Sequence, residues 1–356
     1  MLQSISIQNL GCFDDSFPYT INFKKLNIIA GPNNSGKSTI FKGFNFLRAY
    51  SFGGVAWTTQ FYHLADFEQS VYAHDVKKEI KITATYQEGA DNYVASFNIS
   101  SSGIKNPDFF KNGTRIAGIN SEEHKELASK IWYIGPNRAG TPQQIAVGTS
   151  IVQLGQPLTP NGSNVIQYLL ERWTGQDARW TDMVEWLAKI DPHMQALKTP
   201  ILSNTVRLET TRNDGNRSIN VNMSLQGTGI QNAATIVAAL IFSPEGSTII
   251  IEEPENFLHS KSVEVLVDLI NHAVNKQSKQ IIITTHSWDM LTTYANDLGN
   301  GLSRASPPHE ITNIGGFQLF GIKPELSAEK IEPYDIQGKT IGDIWTYVRG
   351  LLGDTS

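Results

Sequence analysis

Cysteine is almost absent from this sequence, since Cys12 is the only one among 356 residues. A single cysteine excludes an intramolecular disulfide framework, and no His/Cys cluster has zinc spacing, so we expect Cys12 to be a small buried side chain. Long apolar runs are missing too, because no stretch approaches the ~18 apolar residues that a membrane-spanning helix needs. The N-terminal stretch MLQSISIQNLG lacks a basic leader. Together these absences favour a cytoplasmic protein.

The sequence also lacks a large excess of either positive or negative charge. The chain has 29 Lys and Arg against 34 Asp and Glu, a net charge of -5, which argues against a protein whose whole surface binds nucleic acid. The clearest charged stretch, DVKKEIKITATY, places Lys78, Glu79 and Lys81 among apolar residues. This alternation favours a strand with one solvated face, and a local basic patch is the alternative. The length suits one elaborate domain or two.

The pattern of apolar residues predicts strands that alternate with helices. Short alternating strands in ISIQNLG and YTINFKK precede a buried strand at LNIIA, and a helix follows in STIFKGFNFLRAY. Further buried strands, in STIIIEE and KQIIITTHS, are separated by an amphipathic helix. Alternation of this kind implies a largely parallel sheet, whose ligands bind beyond the carboxyl ends of its strands.

Less regular stretches set the expected domain boundaries. The segment SSGIKNPDFFKNGTRIAGIN is rich in Gly, Asn, Pro and Ser and is predicted to be a loop, whereas TVRLE and SINVNMS flank the turn RNDGNR and predict a hairpin. Two helical patterns predict a helical arm inserted at residues 160–200. Residues 1–159 and 201–295 then form the two parts of the main domain. Residues 296–356 are a weakly patterned tail with one C-terminal helix, and are a candidate partner-binding segment.

The stretch GPNNSGKST satisfies the pattern G-x-x-x-x-G-K-[ST] between a predicted strand and a predicted helix. Successive backbone N–H groups and the helix N-terminus form an anion site in such a loop, and its glycines permit a tight backbone path. Lys37 is expected to reach the β- and γ-phosphates, and the Ser38 hydroxyl to bind Mg²⁺. An accidental glycine turn is the alternative. The predicted nucleotide-binding residues are Gly31, Pro32, Asn33, Asn34, Ser35, Gly36, Lys37, Ser38 and Thr39.

Two other buried strands end in polar residues that suit the same chemistry. Glu252 and Glu253 follow three isoleucines, and we expect the first carboxylate to hold Mg²⁺ through water and the second to orient or deprotonate the attacking water. His286 lies in the polar end of IIITTHS and is placed to touch a γ-phosphate. By itself a glutamate pair is usually a solvated strand end, and a lone histidine is usually structural. The phosphate loop makes the functional interpretation the stronger one.

The order GPNNSGKST, LQGTGIQNAATIVAAL, IIIEEPENFLHS and IIITTHS resembles that of the soluble ABC-type ATPases. It is most similar to the branch that contains the overcoming-lysogenization-defect (OLD) nucleases and the RecF and SMC proteins. The resemblance implies an α/β P-loop NTPase fold with an ABC-type ATPase head. In this fold a mixed, largely parallel sheet is joined by N-terminal antiparallel strands, and here also by the inserted helical arm.

The resemblance also assigns roles to residues of this chain. The Walker B acid falls on Glu252, the catalytic glutamate on Glu253 and the switch histidine on His286. Thr228 and Gly229 correspond to the signature residues that complete the site from a second subunit. A glutamine that contacts the metal in ABC proteins corresponds to Gln69.

Some residues depart from the family pattern. GTGIQ stands where transporters have LSGGQ, which argues against a transporter subunit, and Glu252 stands where most ABC proteins have Asp. There are no heptads for an SMC coiled coil. The acidic residues after His286 are scattered without the paired D-x-D of a toprim nuclease domain. We therefore expect an OLD-like AAA-family ATPase without its nuclease.

The resemblance implies an ATP-hydrolysing homodimer that uses ATP and Mg²⁺ and opens after hydrolysis. Such proteins act in prokaryotic defence against phage or in DNA maintenance, with a separate effector such as a nuclease or toxin. DNA is a candidate partner, and a membrane is not expected. The alternatives are a nucleotide-dependent clamp with negligible turnover, which a steady-state ATPase rate tests, and a self-sufficient nuclease, which plasmid cleavage tests.

Overall fold

A computed structural model of the protein describes residues 1–16, 18–31, 35–51, 67–117, 122–136, 138, 144–146, 158–214, 217–287, 289–291, 293, 317–322, 331–334, 343, 346–347 and 349–350. The chain divides into two compact units. The first comprises Met1–Ile131, Gly246–Ile250 and Gln280–Ser356, and the second comprises Trp132–Glu245 and Ile251–Lys279. Across the described ranges, no helix combines the length and the apolar character required to cross a membrane.

Strands and helices alternate along much of the chain. The strands described are β1 (Leu2–Gln8), β2 (Tyr19–Asn22), β3 (Leu26–Ala30), β4 (Ile80–Glu88), β5 (Asp91–Ser100), β6 (Gly103–Lys111), β7 (Thr114–Ala117), β8 (Ile131–Ile134), β9 (Ile145–Ala146), β10 (Met194–Lys198), β11 (Ile201–Leu202), β12 (Thr205–Val206), β13 (Glu209–Asp214), β14 (Arg217–Asn222), β15 (Thr248–Glu252), β16 (Gln280–Thr285), β17 (Phe317–Ile322) and β18 (Ile331–Tyr334). The helices described are α1 (Lys37–Ser51), α2 (Phe67–Ser70), α3 (Glu122–Ser129), α4 (Val165–Thr174), α5 (Trp180–Ile190), α6 (Thr228–Phe242) and α7 (Ser260–Lys276).

An antiparallel sheet in the first unit has the order β2-β1-β4-β5-β6-β7. Its strands alternate between buried and more exposed side chains, as a sheet with one covered face requires. In β4, Ile80 and Ile82 are buried whereas Lys81 is exposed, so the strand prediction for DVKKEIKITATY is confirmed from Ile80 onward, and Lys78 and Glu79 precede the strand. Lys78 in this stretch bonds to Asp15 at 2.9 Å.

The expectation of a loop at residues 101–120 is wrong for β6 and β7. The strand β6 pairs with β5, and the register shifts so that residues 106 and 107 together oppose a single residue of β5. A β-bulge of this kind takes up the proline that made the stretch look irregular. Long-range pairing with β5 therefore overrides the weak local strand propensity.

The second large sheet has the order β18-β17-β3-β16-β15-β8. In the first unit, β3 pairs in parallel with both β16 and β17, and all five of its residues are buried. The predicted parallel sheet is confirmed for these strands. The expectation of little regular structure in the tail is wrong for β17 and β18, because β17 adds a parallel strand directly beside β3 and β18 pairs with β17. Most residues of the predicted C-terminal helix lie outside the described residues.

The helix α1 begins at Lys37, within the glycine-loop motif, as predicted. The backbone N–H groups of Thr39 and Ile40 both donate to the carbonyl of Gly36, at 3.0 and 3.2 Å. Apolar side chains on one face are buried, including Ile40, Phe41 and Phe44. Burial of that face explains why this sequence forms a helix at this position.

The second unit is built on α6, whose residues from Gln231 to Phe242 are all buried. The helix α5 packs against both α6 and α7, and buries Met183, Leu187 and Ile190. The two helices predicted for residues 160–200 are therefore confirmed as α4 and α5. Their assignment to a separate inserted arm, and the other domain boundaries, stay predictions.

Small antiparallel sheets complete the second unit, with the orders β10-β13-β14 and β11-β12-β9. The predicted hairpin exists, but its first strand is β13 and begins at Glu209, at the last residue of TVRLE. Thr205 and Val206 instead form β12, which pairs with β11 and β9. Part of the predicted turn is therefore strand.

Candidate functional site

The glycine loop connects β3 to α1 within the first unit. Lys37 is buried, with 7% of its surface exposed, and its Nζ donates to the carbonyl of Gly31, the first residue of the loop, at 2.7 Å. Pro32, Asn33 and Asn34, which belong to the predicted binding residues, lie outside the described residues. The first turn of α1 offers backbone N–H groups, and with the Lys37 amine it forms a positive site suited to an anion.

Gly36 shows why the loop requires glycine. Its φ is +106°, a backbone conformation that residues with a side chain rarely adopt. A Cβ built on Gly36 would contact Cys12 Sγ and would lie 3.2 Å from Phe13 Cζ. The Cys12 thiol also donates to the carbonyl of Ser35 at 3.7 Å. Cys12 is only partly buried, which corrects the expectation of a buried side chain, and it packs directly against the loop.

The segment that contains Gln69 reaches the loop through Gly11. The backbone N–H of Gly11 donates to the carbonyl of Ser70 at 2.7 Å. A Cβ on Gly11 would lie 2.7 Å from Thr39 Cγ2, so Gly11 also packs closely on the start of α1. Gln69 is exposed on α2. The contacts bring its segment to the loop, and its predicted contact with a metal stays a prediction.

His286 follows the strand that pairs with β3. In this register Ala30 is opposite Thr285, so Gly31 and His286 both leave the sheet at the same level of the first unit. The His286 side chain is exposed, and Ser287 N bonds to Thr285 Oγ1 at 2.9 Å, which turns the chain after the strand. The predicted role of His286 at a γ-phosphate stays a prediction.

Glu252 ends β15 and is buried, with 2% of its surface exposed. Its Oε1 accepts a hydrogen bond from the Tyr133 hydroxyl, also in the second unit. Burial raises the pKa of Tyr133 well above its ordinary value, and the negative charge of Glu252 adds to the rise. The Tyr133 hydroxyl therefore stays protonated and donates to the carboxylate.

Glu253 has an unusual backbone, because its φ is +46° although it is not glycine. Left-handed backbone at a residue with a side chain is uncommon and is concentrated at functional sites. Its carboxylate Oε2 accepts from Asn256 Nδ2 at 2.9 Å. Two consecutive glutamates therefore have different partners, Tyr133 for the first and Asn256 for the second.

Arg138 joins the two glutamates through their main chain. Its Nη1 donates to the carbonyls of Gly135 and Glu252, both at 2.7 Å, and its Nη2 donates to that of Glu253 at 2.8 Å. Burial lowers the pKa of Arg138 to about 10, and the carboxylates of Glu255, Glu253 and Glu252 oppose the shift. The guanidinium therefore remains positive at neutral pH.

The start of α6 carries the predicted signature residues. Thr228 is its first residue and is exposed. A Cβ on Gly229 would meet the carbonyl oxygen of Phe257, so glycine permits a close backbone approach to the loop that follows Glu253. Two large apolar side chains are exposed here: Leu225, three positions before Thr228, at 75%, and Phe257, whose carbonyl that Cβ would meet, at 71%. Action of Thr228 and Gly229 from a second subunit stays a prediction.

Residues 26–291 match the family described as "AAA domain, putative AbiEii toxin, Type IV TA system". The chain belongs to this AAA-domain family. The SMC head gives the matching fold in solved structures. The head bound to the C-winged helix domain of ScpA has a TM-score of 0.59 and 16% identity, over 94% of this chain and 98% of that one. The head with an extended coiled coil from Pyrococcus furiosus has a TM-score of 0.55 and 12% identity, over 98% of both chains.

Curated relatives of this AAA-domain chain include two that differ in coverage. An "ATP/GTP phosphatase" from Helicobacter pylori is 24% identical over 331 residues, which are 82% of this chain and 86% of the relative. The "Endonuclease GajA" from Bacillus cereus is 27% identical over 187 residues, which are 44% of this chain but only 27% of the relative. The predicted ABC-type P-loop ATPase fold is confirmed by the SMC-head similarity.

Sequence reasoning missed Tyr133, Arg138 and Asn256. Tyr133 and Arg138 lie in the stretch KIWYIGPNR, where the pattern predicted only a strand and a turn, and Asn256 follows the glutamates in EEPEN. An arginine just beyond a strand end and a Gly-Pro turn was the available signal. Across the described parts of the chain, no three or more His, Cys, Asp or Glu side chains come together to hold a metal ion, and the predicted Mg²⁺ ligands Ser38, Glu252 and Gln69 stay predictions.

Proposed function

We propose that the chain binds ATP at residues 31–39 and hydrolyses it. The observation that carries this proposal is the loop itself. Gly36 has a φ of +106°, and Lys37, at the start of α1, donates from its Nζ to the carbonyl of Gly31. This arrangement stands in a chain of the AAA-domain family. Backbone N–H groups at a helix start and a buried lysine suit the triphosphate chain of a nucleotide.

Mg²⁺ is the proposed metal. It takes oxygen ligands and commonly keeps several waters beside one or two carboxylates and the substrate phosphates. The proposed donors fit this preference, since Ser38 offers a hydroxyl, Glu252 a carboxylate and Gln69 an amide oxygen. When bound, the ion would neutralise charge on the β- and γ-phosphates. Tyr133 would then hold the Glu252 carboxylate in a fixed orientation.

Glu253 is the proposed base for the attacking water, and His286 the proposed contact to the γ-phosphate. A base needs a carboxylate whose direction is set before the reaction, and the left-handed backbone of Glu253 together with Asn256 sets that direction here. A nucleotide-dependent clamp with negligible turnover is the second candidate. A steady-state rate of phosphate release distinguishes the two candidates.

An ATP-dependent homodimer is the proposed assembly. Thr228 is exposed at the start of α6, where backbone N–H groups of the first turn suit the γ-phosphate of a nucleotide held by a second copy. Leu225 and Phe257 expose most of their apolar surface, and burial of such side chains favours association. ATP would favour the closed dimer because its γ-phosphate contacts both copies, and hydrolysis would remove that contact.

The proposed setting is anti-phage defence or DNA maintenance in the cytoplasm, close to the OLD branch. The relative named an endonuclease supports it, as does the description of the family. The effector would be a separate nuclease or toxin, bound by the helical arm or the tail, and DNA remains a candidate partner. Plasmid cleavage by the isolated chain with Mg²⁺ or Mn²⁺ would instead favour a self-sufficient nuclease.

Phosphate release from ATP in the presence of Mg²⁺ tests the proposed activity. Lys37→Ala should abolish ATP binding and turnover, because it removes the cation at the loop. Lys42→Ala, on the same helix, is the matched control and should keep both. Near-normal ATP affinity in Lys37→Ala would remove the loop from the mechanism, whereas tight binding without turnover in the wild type would favour the clamp.

A further inference from the structure

Arg138 contacts two consecutive peptide groups at the end of β15. Its Nη1 donates to the carbonyl of Glu252 at 2.7 Å, and its Nη2 donates to that of Glu253 at 2.8 Å. The same Nη1 donates to the carbonyl of Gly135 at 2.7 Å. Because Arg138 is only 2% exposed, these charge-assisted bonds form away from water, where they are strong.

The peptide that Arg138 holds includes the residue with unfavourable backbone. Glu253 has a φ of +46°, and such a conformation persists only where the surrounding contacts impose it. Arg138 supplies the contact to the carbonyl of Glu253, and Asn256 supplies the contact to its carboxylate. The fork of a guanidinium can reach two neighbouring carbonyls at once, which an ammonium group cannot do with fixed geometry.

The direction of the Glu253 carboxylate depends on this backbone. The bond from Cα to Cβ turns with the main chain, so a relaxed φ at Glu253 would point the carboxylate elsewhere. Glu252 is held separately, through Tyr133. The contacts of Arg138 therefore act on the proposed base through its main chain and leave the Glu252 carboxylate with its own partner.

We propose that Arg138 is a positioning residue that imposes the left-handed backbone of Glu253 and so sets the direction of the Glu253 carboxylate. The inference rests on the proposed function, in which that carboxylate accepts a proton from the attacking water. Arg138 itself needs no contact with nucleotide or water. Arg138 and Glu253 both belong to the second unit.

Arg138→Lys is the test variant, because it keeps the positive charge and loses the fork. Arg179→Lys is the matched control. Arg179 lies in the same unit and its Nη1 also bonds to two consecutive carbonyls, those of Ile241 and Phe242, each at 3.3 Å. Its Nε and Nη2 donate to the Asp177 carboxylate, at 3.0 and 2.8 Å. Both variants are compared with the wild type in melting temperature, ATP affinity and steady-state phosphate release.

Arg138→Lys should lower turnover on the order of 10²-fold, the typical result of a small misplacement of a reacting group. Its ATP affinity should stay within about twofold of the wild type, because the phosphate loop is untouched. Arg179→Lys should keep wild-type turnover even if its melting temperature falls by as much as that of Arg138→Lys. Wild-type turnover in Arg138→Lys, or an equal loss in both variants, overturns the proposal.

A double variant separates positioning from general damage. In the Glu253→Gln background the base is already lost, so adding Arg138→Lys should cause no further loss of turnover. A full additional loss would show that Arg138 acts by another route and overturns the proposal. Should Arg138→Lys fail to fold, Arg138→Gln takes its place, because its single amide nitrogen also lacks the guanidinium fork that reaches both carbonyls.

A melting experiment tests the backbone claim without any activity. Glu253→Gly removes the side chain that makes a left-handed φ unfavourable. It should change the melting temperature more favourably in the wild type than in Arg138→Lys, where the backbone is no longer held. An equal change in both backgrounds overturns the proposal. Absent turnover in the wild type would count against the proposed function alone, since this comparison still decides the role of Arg138.

Discussion

Gly36 offers a direct test of how the phosphate loop is built. Its φ is +106°, and a Cβ at Gly36 would contact Cys12 Sγ and lie 3.2 Å from Phe13 Cζ. A residue with a side chain in such a region costs on the order of 1–3 kcal/mol, and forcing a methyl group into a packed contact typically costs about 1–3 kcal/mol more. We therefore expect Gly36→Ala to lower the free energy of unfolding by about 2–6 kcal/mol. That is a large part of the ~5–15 kcal/mol that keeps a domain folded.

Gly103 provides a matched control, because its φ is +113° and nothing lies within 4 Å of a Cβ built there. Gly103→Ala should lose the backbone contribution alone, so urea unfolding of both variants gives the packing contribution by difference. Adding Cys12→Ala to Gly36→Ala should recover part of that difference, since it removes the sulfur that the methyl group meets. ATP affinity should fall only with Gly36→Ala. Equal destabilisation by the two glycine substitutions would refute the packing of Cys12 against the loop.

Other predictions concern the acidic strand end, the start of α6 and a buried lysine. Glu253→Gln should keep ATP binding and lower turnover by ~10²-fold or more, since an amide cannot accept the proton of water. Size-exclusion chromatography should then show an ATP-bound dimer. Wild-type turnover in this variant would exclude Glu253 as the base. Thr228→Arg should leave ATP binding by the monomer intact and prevent ATP-dependent dimerisation, which light scattering measures; unchanged dimerisation would remove Thr228 from the interface. Burial lowers the pKa of Lys279 to about 7 from 10.5, so above pH 7 the unfolded chain retains a proton that the folded protein has lost, and the free energy of unfolding should rise with pH up to about 10. Urea unfolding at about pH 7 and about pH 9.5 measures this rise in the wild type and in Lys279→Met. The rise should be absent in Lys279→Met, and an equal rise of the free energy of unfolding in both proteins would contradict the prediction.

Local sequence patterns were sufficient to predict secondary structure where a short segment determines its own conformation. The buried strand β3, the glycine loop and the start of α1 follow from LNIIAGPNNSGKST, because the motif requires a strand before it and a helix after it. The strand β17 was missed because FQLFGI is short, follows two glycines and contains a third. Its place is fixed by pairing with β3, almost 300 positions earlier in the chain, and no local pattern carries that information.

The candidate site divides in the same way. Lys37, Glu252, Glu253 and His286 were named because each ends a recognisable buried strand or stands in a recognisable loop. Arg138 was not, because its partners are main-chain carbonyls 114 and 115 positions away, and any residue type has such a carbonyl. A contact to the main chain leaves no mark on the sequence of its acceptor, so only the folded structure reveals it.

The close approach at Gly229 links the residues around the proposed base, Glu253, to the surface where the second copy is proposed to bind. The carbonyl of Phe257 fills the space where a side chain at Gly229 would lie, so any larger residue there would disturb this chain itself, and Thr228 is the better site for a substitution that blocks dimerisation. Phe257 follows Glu253 by four positions, and Asn256 between them bonds to the Glu253 carboxylate. A packed contact transmits a displacement because it has no room to absorb it. Within the proposed function, a movement of Glu253 or Asn256 on hydrolysis would therefore displace the start of α6 and the exposed Phe257, where the second copy is proposed to bind.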